Sequence, residues 1–208
     1  MNRIKRAAGW GGTLLLLFLI SACGSVGGSG QCGGAEDSGS CVRIESIIPA
    51  YRGANTSNVD AVMDVCAVDA TTGAQTLEAF SDHSAAIQVS NDSLPGAPSN
   101  TTRIVTLRDY SIEYSINRCP AGSVCPALTL LTVAPGQTTV IPANGSVTFT
   151  LPFVPLATKD EYVRLGGSLG TFPSYTALYT ITGTDSFNKS ISIQGAAEFT
   201  IGDFNNCS

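Results

Sequence analysis

Thr101-Thr-Arg-Ile-Val-Thr-Leu-Arg-Asp-Tyr-Ser-Ile-Glu-Tyr-Ser-Ile-Asn117 is the longest strand pattern in the chain. Tyr110, Ile112, Tyr114 and Ile116 recur every second residue, the period at which the side chains of a strand share a face. Val105 and Leu107 sit on the opposite parity, so a bulge or bend is expected near Arg108-Asp109. Long bent strands of this kind cross between sheets in sandwiches. The aromatic stripe reads first as core, and as an exposed face it would be a binding patch.

The same period extends outward from this stretch. Towards the N-terminus, residues 91–100 are a loop rich in turn residues, and Ala85 to Ser90 is a strand. Leu77 to Phe80 reads as a short edge strand. Val59 to Val68 reads as one strand, with Val59, Ala61, Met63 and Val65 on one face and Asp60, Val62, Asp64 and Cys66 on the other. Val42 to Ile48 alternates until Pro49 stops it. Towards the C-terminus, Leu128 to Val133 resumes the sheet and Pro135-Gly136 turns the chain. Thr138 to Ile141 is a short strand, Asn144-Gly145 is a hairpin signal, and Ser146 to Leu151 alternates. Ala157 to Leu165 is the helix candidate, with Thr158 as N-cap, Asp160 and Glu161 in the first turn and Gly166 ending it. Ser174 to Thr182 and Ser190 to Ile201 are the last strands, the latter interrupted by Gly195, with a turn at Asp185 to Asn188 between them.

Eight to ten strands, one short helix and no βαβ spacing predict an all-β fold, an antiparallel β-sandwich. From Tyr175 the tail (Tyr-Thr-Ala-Leu-Tyr-Thr-Ile-Thr-Gly-Thr-Asp, then Ala197-Glu-Phe-Thr-Ile201) resembles the closing hairpin of immunoglobulin- or fibronectin-type modules. The Cys…Trp…Cys signature of antibody domains is missing, because the sole tryptophan is Trp10.

The N-terminus carries a second resemblance. Arg3, Lys5 and Arg6 form a positive region, and Leu14 to Ile20 is an apolar core too short to span a bilayer, which takes about 20 residues. Its exit, Ile20-Ser21-Ala22-Cys23, resembles the lipobox of bacterial lipoproteins. That resemblance implies cleavage before Cys23 and acylation of its thiol, with residues 1–22 removed as a signal peptide. Gly24, in place of a retention aspartate, implies the outer membrane. Each buried CH₂ of the lipid would contribute about 0.8 kcal/mol to anchoring. Residues 23–40 then form a Gly/Ser-rich tether averaging about 20–25 Å end to end, and residues 41–208 a single sandwich domain.

Cleavage removes only positive charge and leaves eight Lys/Arg against sixteen Asp/Glu, a net −8. Such a body is unsuited to nucleic acid, whose binding rests on phosphate neutralisation. Beyond Cys23 six cysteines remain, Cys32, Cys41, Cys66, Cys119, Cys125 and Cys207. An even remainder in an exported chain predicts three disulfides among 15 connectivities. Cys32 is expected to bridge to Cys41 or to the body. Cys119 and Cys125 flank Pro120, Ala121, Gly122, Ser123 and Val124 and are expected to close that tip locally. No C-x-x-C occurs, so no zinc knuckle, thioredoxin-like motif or c-type haem attachment is indicated, and no cofactor is expected.

Two constellations suggest chemistry. Asp82-His83-Ser84 holds the only histidine and offers a hydrolase base, set against a plain turn entering the Ala85 strand. Gly166-Gly-Ser-Leu-Gly170 matches the nucleophile elbow by letter, but that motif needs a strand before Ser168 and a helix after it, and here a helix precedes it. Asp60, Asp64 and Asp69 form an acidic stretch and Asp92, Asp185 and Asp203 sit in or near loops, where carboxylates can gather calcium, without the spacing of a calcium loop. Solvated acids are the plainer reading. Asn55, Asn91, Asn100, Asn144, Asn188 and Asn206 begin N-x-S/T and read as turn residues. The function expected is therefore a non-enzymatic, lipid-anchored protein of the bacterial cell envelope. It would bind or scaffold an envelope or extracellular protein or glycan, with residues 120–124 as the contact tip. An envelope hydrolase using His83 and a calcium-stabilised adhesion module are the alternatives.

Overall fold

The computed structural model describes residue 32 and residues 40–94, 102–133 and 138–207. The expected signal peptide, Cys23, most of the expected tether and the expected Pro135-Gly136 turn lie outside the described residues. In chain order the elements are β1 (Ser40–Tyr51), β2 (Ala54–Asn55), β3 (Asn58–Asp60), β4 (Val65–Val68), β5 (Gln75–Leu77), β6 (His83–Ser93), β7 (Val105–Arg118), β8 (Leu131–Val133), β9 (Thr139–Ile141), β10 (Gly145–Val154), α1 (Leu156–Arg164), β11 (Ser174–Asp185) and β12 (Ser190–Gly202). Twelve strands replace the eight to ten expected, because pairings of two or three residues leave no readable period.

The strands form three sheets. One runs β10-β6-β1-β2. A six-stranded sheet runs β3-β12-β11-β7-β8, with β9 beside β8 on the same edge of β7. β4 and β5 form the third. All pairings are antiparallel except β12 with β3, which is parallel.

β7 contains the expected bulge. Thr182 pairs with Asp109 and Gly183 with Leu107, which leaves Arg108 without a partner across the ladder. The skipped residue brings Val105 and Leu107 to the same face as Ile112 and Tyr114, and all four are buried. Gly183 is needed opposite the bulge, since a Cβ there would lie 2.1 Å from the Thr106 carbonyl oxygen. The stripe is core as far as Tyr114, while Ile116 is 44% exposed. β7 stays within one sheet over its whole length instead of crossing to the other.

One buried cluster draws on both larger sheets and on α1. Its aromatic centre is Phe153, Tyr175 and Phe199, with Tyr114 edge-on to Phe199 at 6.0 Å. Buried tyrosines need hydroxyl partners, and three of the four in this core reach backbone carbonyls far along the chain. Tyr114 donates to Phe153 O at 2.6 Å, Tyr179 to Pro152 O at 2.6 Å and Tyr175 to Pro126 O at 2.9 Å. The first two tie the six-stranded sheet to β10. Burial raises all three hydroxyls above their ordinary pKa.

Several boundaries differ from the sequence reading. β1 continues through Pro49, which pairs with Ala85. Its other side is paired only at Ala50 and Tyr51, so the missing N–H costs no ladder bond there. The stretch 59–68 is two strands joined by a bend, with Val59 and Ala61 buried but Met63 and Val65 each 47% exposed. The edge strand ends at Leu77, and Glu78 turns inward. Gly195 does not interrupt β12. It pairs with Tyr179, and its missing Cβ admits Ile44 and Ile47 of the facing sheet at 3.0 Å. Asn144 does adopt a turn conformation, with φ 53°. The strands it joins are not a hairpin, however: β9 pairs with β7 and β10 with β6.

The disulfides are Cys32–Cys41, Cys66–Cys207 and Cys119–Cys125. The first and third follow the expected local pairing. The second closes a separation of 141 residues. Among the described residues no helix is long and apolar enough to cross a membrane.

Candidate functional site

α1 buries a face that includes a charge. Thr158, Lys159 and Tyr162 are all inside, so Thr158 is not the N-cap. The helix starts at Leu156, whose N–H donates to Asp82 Oδ1 at 2.7 Å from 74 residues away. Gly166, at φ 75°, follows the last turn as expected. Asp82→Ala is expected to cost about 1 kcal/mol in urea unfolding, with most of the loss restored in Asp82→Asn, which can still accept that bond. Equal losses in the two variants would dismiss the cap.

The Lys159 ammonium donates to Ser81 O at 2.8 Å and lies 4.2 Å from the Phe80 ring centre and 5.3 Å from that of Tyr51. Burial pulls it down to about 8 against the upward pull of Asp60, Asp82, Glu78 and Asp160. Two of those acids are themselves inside, Asp60 at 1% exposure and Glu78 at 5%. Asp60 Oδ1 accepts the N–H groups of Val62 and Phe204 at 3.3 and 3.1 Å, and Oδ2 accepts the Asn206 side-chain amide at 2.8 Å. Glu78 Oε1 accepts the Asp64 N–H at 3.1 Å and Oε2 the Asn206 N–H at 3.0 Å. Both carboxyls meet on Asn206, and the Glu78 side chain beside Asp60 favours the protonated form of Asp60 through a hydrogen bond in which Asp60 is the donor, because an ionised carboxylate has no proton to give. Burial and this bond push Asp60 up to about 6. Burial would raise Glu78 too, but the bonds it accepts from Asp60, Asp64 and Asn206 outweigh that and leave it below its ordinary range.

His83 opens β6 with no exposed surface, rather than standing in a turn. Its ring stacks on Tyr51 at 4.3 Å, and Nε2 donates to Asn58 O at 3.0 Å. Nδ1 has no hydrogen-bond partner. Burial and the Lys159 charge hold it down to about 4, so it is neutral at pH 7. Tyr51, between His83 and Lys159, donates its hydroxyl to Ala79 O.

The second predicted site is the tip at 119–125. Ser168 of the Gly-rich segment lies directly behind it. Val124 N–H donates to Ser168 Oγ at 2.7 Å, Ser168 N–H returns a bond to Val124 O at 2.9 Å, and Ser123 donates to Thr171 Oγ1 at 2.7 Å. The hydroxyl of the letter-matched elbow is thus spent on backbone, and a helix precedes it as the motif forbids. Ala121, Gly122 and Val124 are exposed, while Pro120 and Ser123 are half-buried.

The candidate calcium acids divide. Asp60 and Asp64 lie beside Glu78, and Asp203 lies beside Asp64. Asp69 accepts from Thr71 and Thr72 in its own turn, Asp185 binds Arg103 at 3.1 Å, and Asp92 binds Arg43 at 3.0 Å. Among the described residues no group of three or more His, Cys, Asp or Glu side chains is placed to hold a metal ion. Sequence reasoning missed Glu78 and Lys159. The available signal was Lys159 and Tyr162 three residues apart on one helical face.

Fold and site together define a disulfide-bridged, all-β protein with a buried carboxyl–lysine–histidine cluster at the root of its C-terminal segment. The chain matches no protein-family model and no curated protein sequence.

Proposed function

We propose that this protein is a lipid-anchored component of a bacterial cell envelope, non-enzymatic, that binds or scaffolds another surface protein or glycan. One observation carries the reading. The three disulfides use every cysteine except Cys23, the residue the lipobox reserves for acylation. Three bridges also suit an oxidising compartment outside the cytoplasm. On this reading residues 41–208 are one immunoglobulin-like sandwich formed by the two larger sheets, set off the outer membrane by the 23–40 tether. The contact surface is the tip at residues 120–124. Its disulfide and its bonds to Ser168 and Thr171 hold it rigid before a partner arrives, and that reduces the ordering cost of binding. The burial of His83 and the engagement of Ser168 support a non-catalytic role.

The test is the intact mass and detergent-phase partitioning of the protein purified from bacterial membranes. The mature chain is expected to begin at Cys23 with diacylglyceryl and acyl mass added and to enter the detergent phase. Cys23→Ser is expected to lose both properties while keeping its three disulfides. A mature chain with an unmodified Cys23 would refute the anchor.

A further inference from the structure

The C-terminal segment beyond β12 contributes no strand, yet six separate interactions fasten it. Phe204 packs its ring on Phe172 at 4.7 Å. Asp203 N–H donates to Leu169 O at 3.1 Å. Phe204 N–H and the Asn206 side chain bind Asp60, Asn206 N–H binds Glu78, and Cys207 is bridged to Cys66 of β4. The β4–β5 arm on the far side of these bonds is a two-stranded sheet, which has marginal stability on its own. It leaves Met63, Val65, Val68 and Leu77 outside, between 47% and 59% exposed. Glu78 at its base, through Asp64 N–H, holds the arm by the same carboxyl that holds Asn206. Two buried acids thus join three stretches of chain.

We propose that the Asp60–Glu78 pair is a proton-operated latch: while the pair shares a proton it locks residues 203–206 and the β4–β5 arm onto the body, and loss of that proton loosens both about the Cys66–Cys207 bridge. The geometry favours one proton on the pair: both carboxyls are buried and both are held by Asn206, and two charges this deep and this near repel each other against the pull of the N–H groups they accept. Asp64 on the β3–β4 connection faces Glu78 and Asp203 of the C-terminal segment, and Lys159 of α1 faces both members of the pair together with Asp82, Asp160 and His83. His83 is neutral, so among these described groups Lys159 carries the positive charge. The rise of Asp60 to about 6 places the change between mildly acidic and neutral pH. The latch does not depend on the lipid anchor or on the partner.

The test uses the full mature chain with its disulfides intact. Amide exchange at Phe204 and Asn206, expressed as protection relative to the unstructured rate at each pH, is expected to fall at least tenfold between pH 5 and pH 7.5. Asp60→Asn, which donates to Glu78 without a titrating proton, is expected to show no such fall. Carbon-13 titration of the wild-type carboxyls is expected to give coupled midpoints for residues 60 and 78, one near 6 and one below the ordinary range. Equal protection at the two pH values, or two independent ordinary midpoints, would overturn the latch. The carboxyl titration decides the matter even if Asp60→Asn does not fold.

Discussion

Replacing Cys66 and Cys207 together by serine is expected to lower the unfolding free energy by about 5 kcal/mol, the loop-closure value for a ring of this length. The bridge spans 141 residues, from Cys66 in β4 to Cys207 beyond β12. The unfolded chain therefore regains most of its freedom when the bond is absent. Cys119–Cys125 spans six residues, and its double serine variant is expected to lose about 2 kcal/mol by the same relation. A domain of ordinary stability holds about 5–15 kcal/mol in all, so the first loss leaves a marginal protein and the second leaves a folded one. Folded-state contacts reinforce the ordering. The short bridge closes a tip that also bonds to Ser168 and Thr171. The long one fastens an arm whose two strands have little else to hold them. Guanidinium unfolding of the oxidised wild type and of each variant measures the two losses. Equal losses would show that ring length is not what Cys66–Cys207 contributes.

What the sequence disclosed and what it hid follow the same division between near and far. The β7 bulge was legible because Val105 and Leu107 break parity with Tyr110 and Ile112 within eight residues. The Cys119–Cys125 tip was legible because the short spacing and the Pro120-Ala-Gly122 turn favour a local bridge, and Gly122 does take the left-handed turn at φ 79°. Asn144 announced a turn, but nothing nearby says that the strands it joins belong to different sheets. Gly195 reads as a break in a strand until Ile44 and Ile47 arrive from the other sheet to fill its place. The buried cluster was the least visible. Asp60 meets Asn206 across 146 residues, and Lys159 meets Ser81 across 78. A carboxylate in a stretch of loops reads as solvated until its distant partners are known. The polar residue count could not separate Asp60, which is buried, from Asp69, which caps its own exposed turn.

Removing His83 and removing the Asp60 carboxyl are expected to tilt the pH dependence of stability in opposite directions. His83 is held down to about 4 in the folded protein, against about 6.5 in an unfolded chain. Between those values the unfolded state takes up a proton that the folded state refuses, so its contribution is lost as pH falls from about 6.5 to about 4. Asp60 is raised to about 6, against about 3.9 unfolded. Between those values the folded state keeps a proton that the unfolded state releases. Its contribution is present at low pH and is lost as pH rises through about 6. Each term amounts to at most about 3 kcal/mol, and over pH 4–6 they nearly cancel in the wild type. His83→Gln, whose amide can still donate to Asn58 O, leaves the Asp60 term alone, and its stability is expected to fall as pH rises from 4 to 6.5. Asp60→Asn leaves the His83 term alone, and its stability is expected to rise over the same range. Urea midpoints at pH 4.5, 5.5 and 6.5 read both slopes, and the other carboxylates cancel when the two variants are compared at each pH. Parallel profiles for the two variants would mean that the buried cluster does not hold its protons in the arrangement described, with neutral His83 beneath Tyr51 and one proton between Asp60 and Glu78.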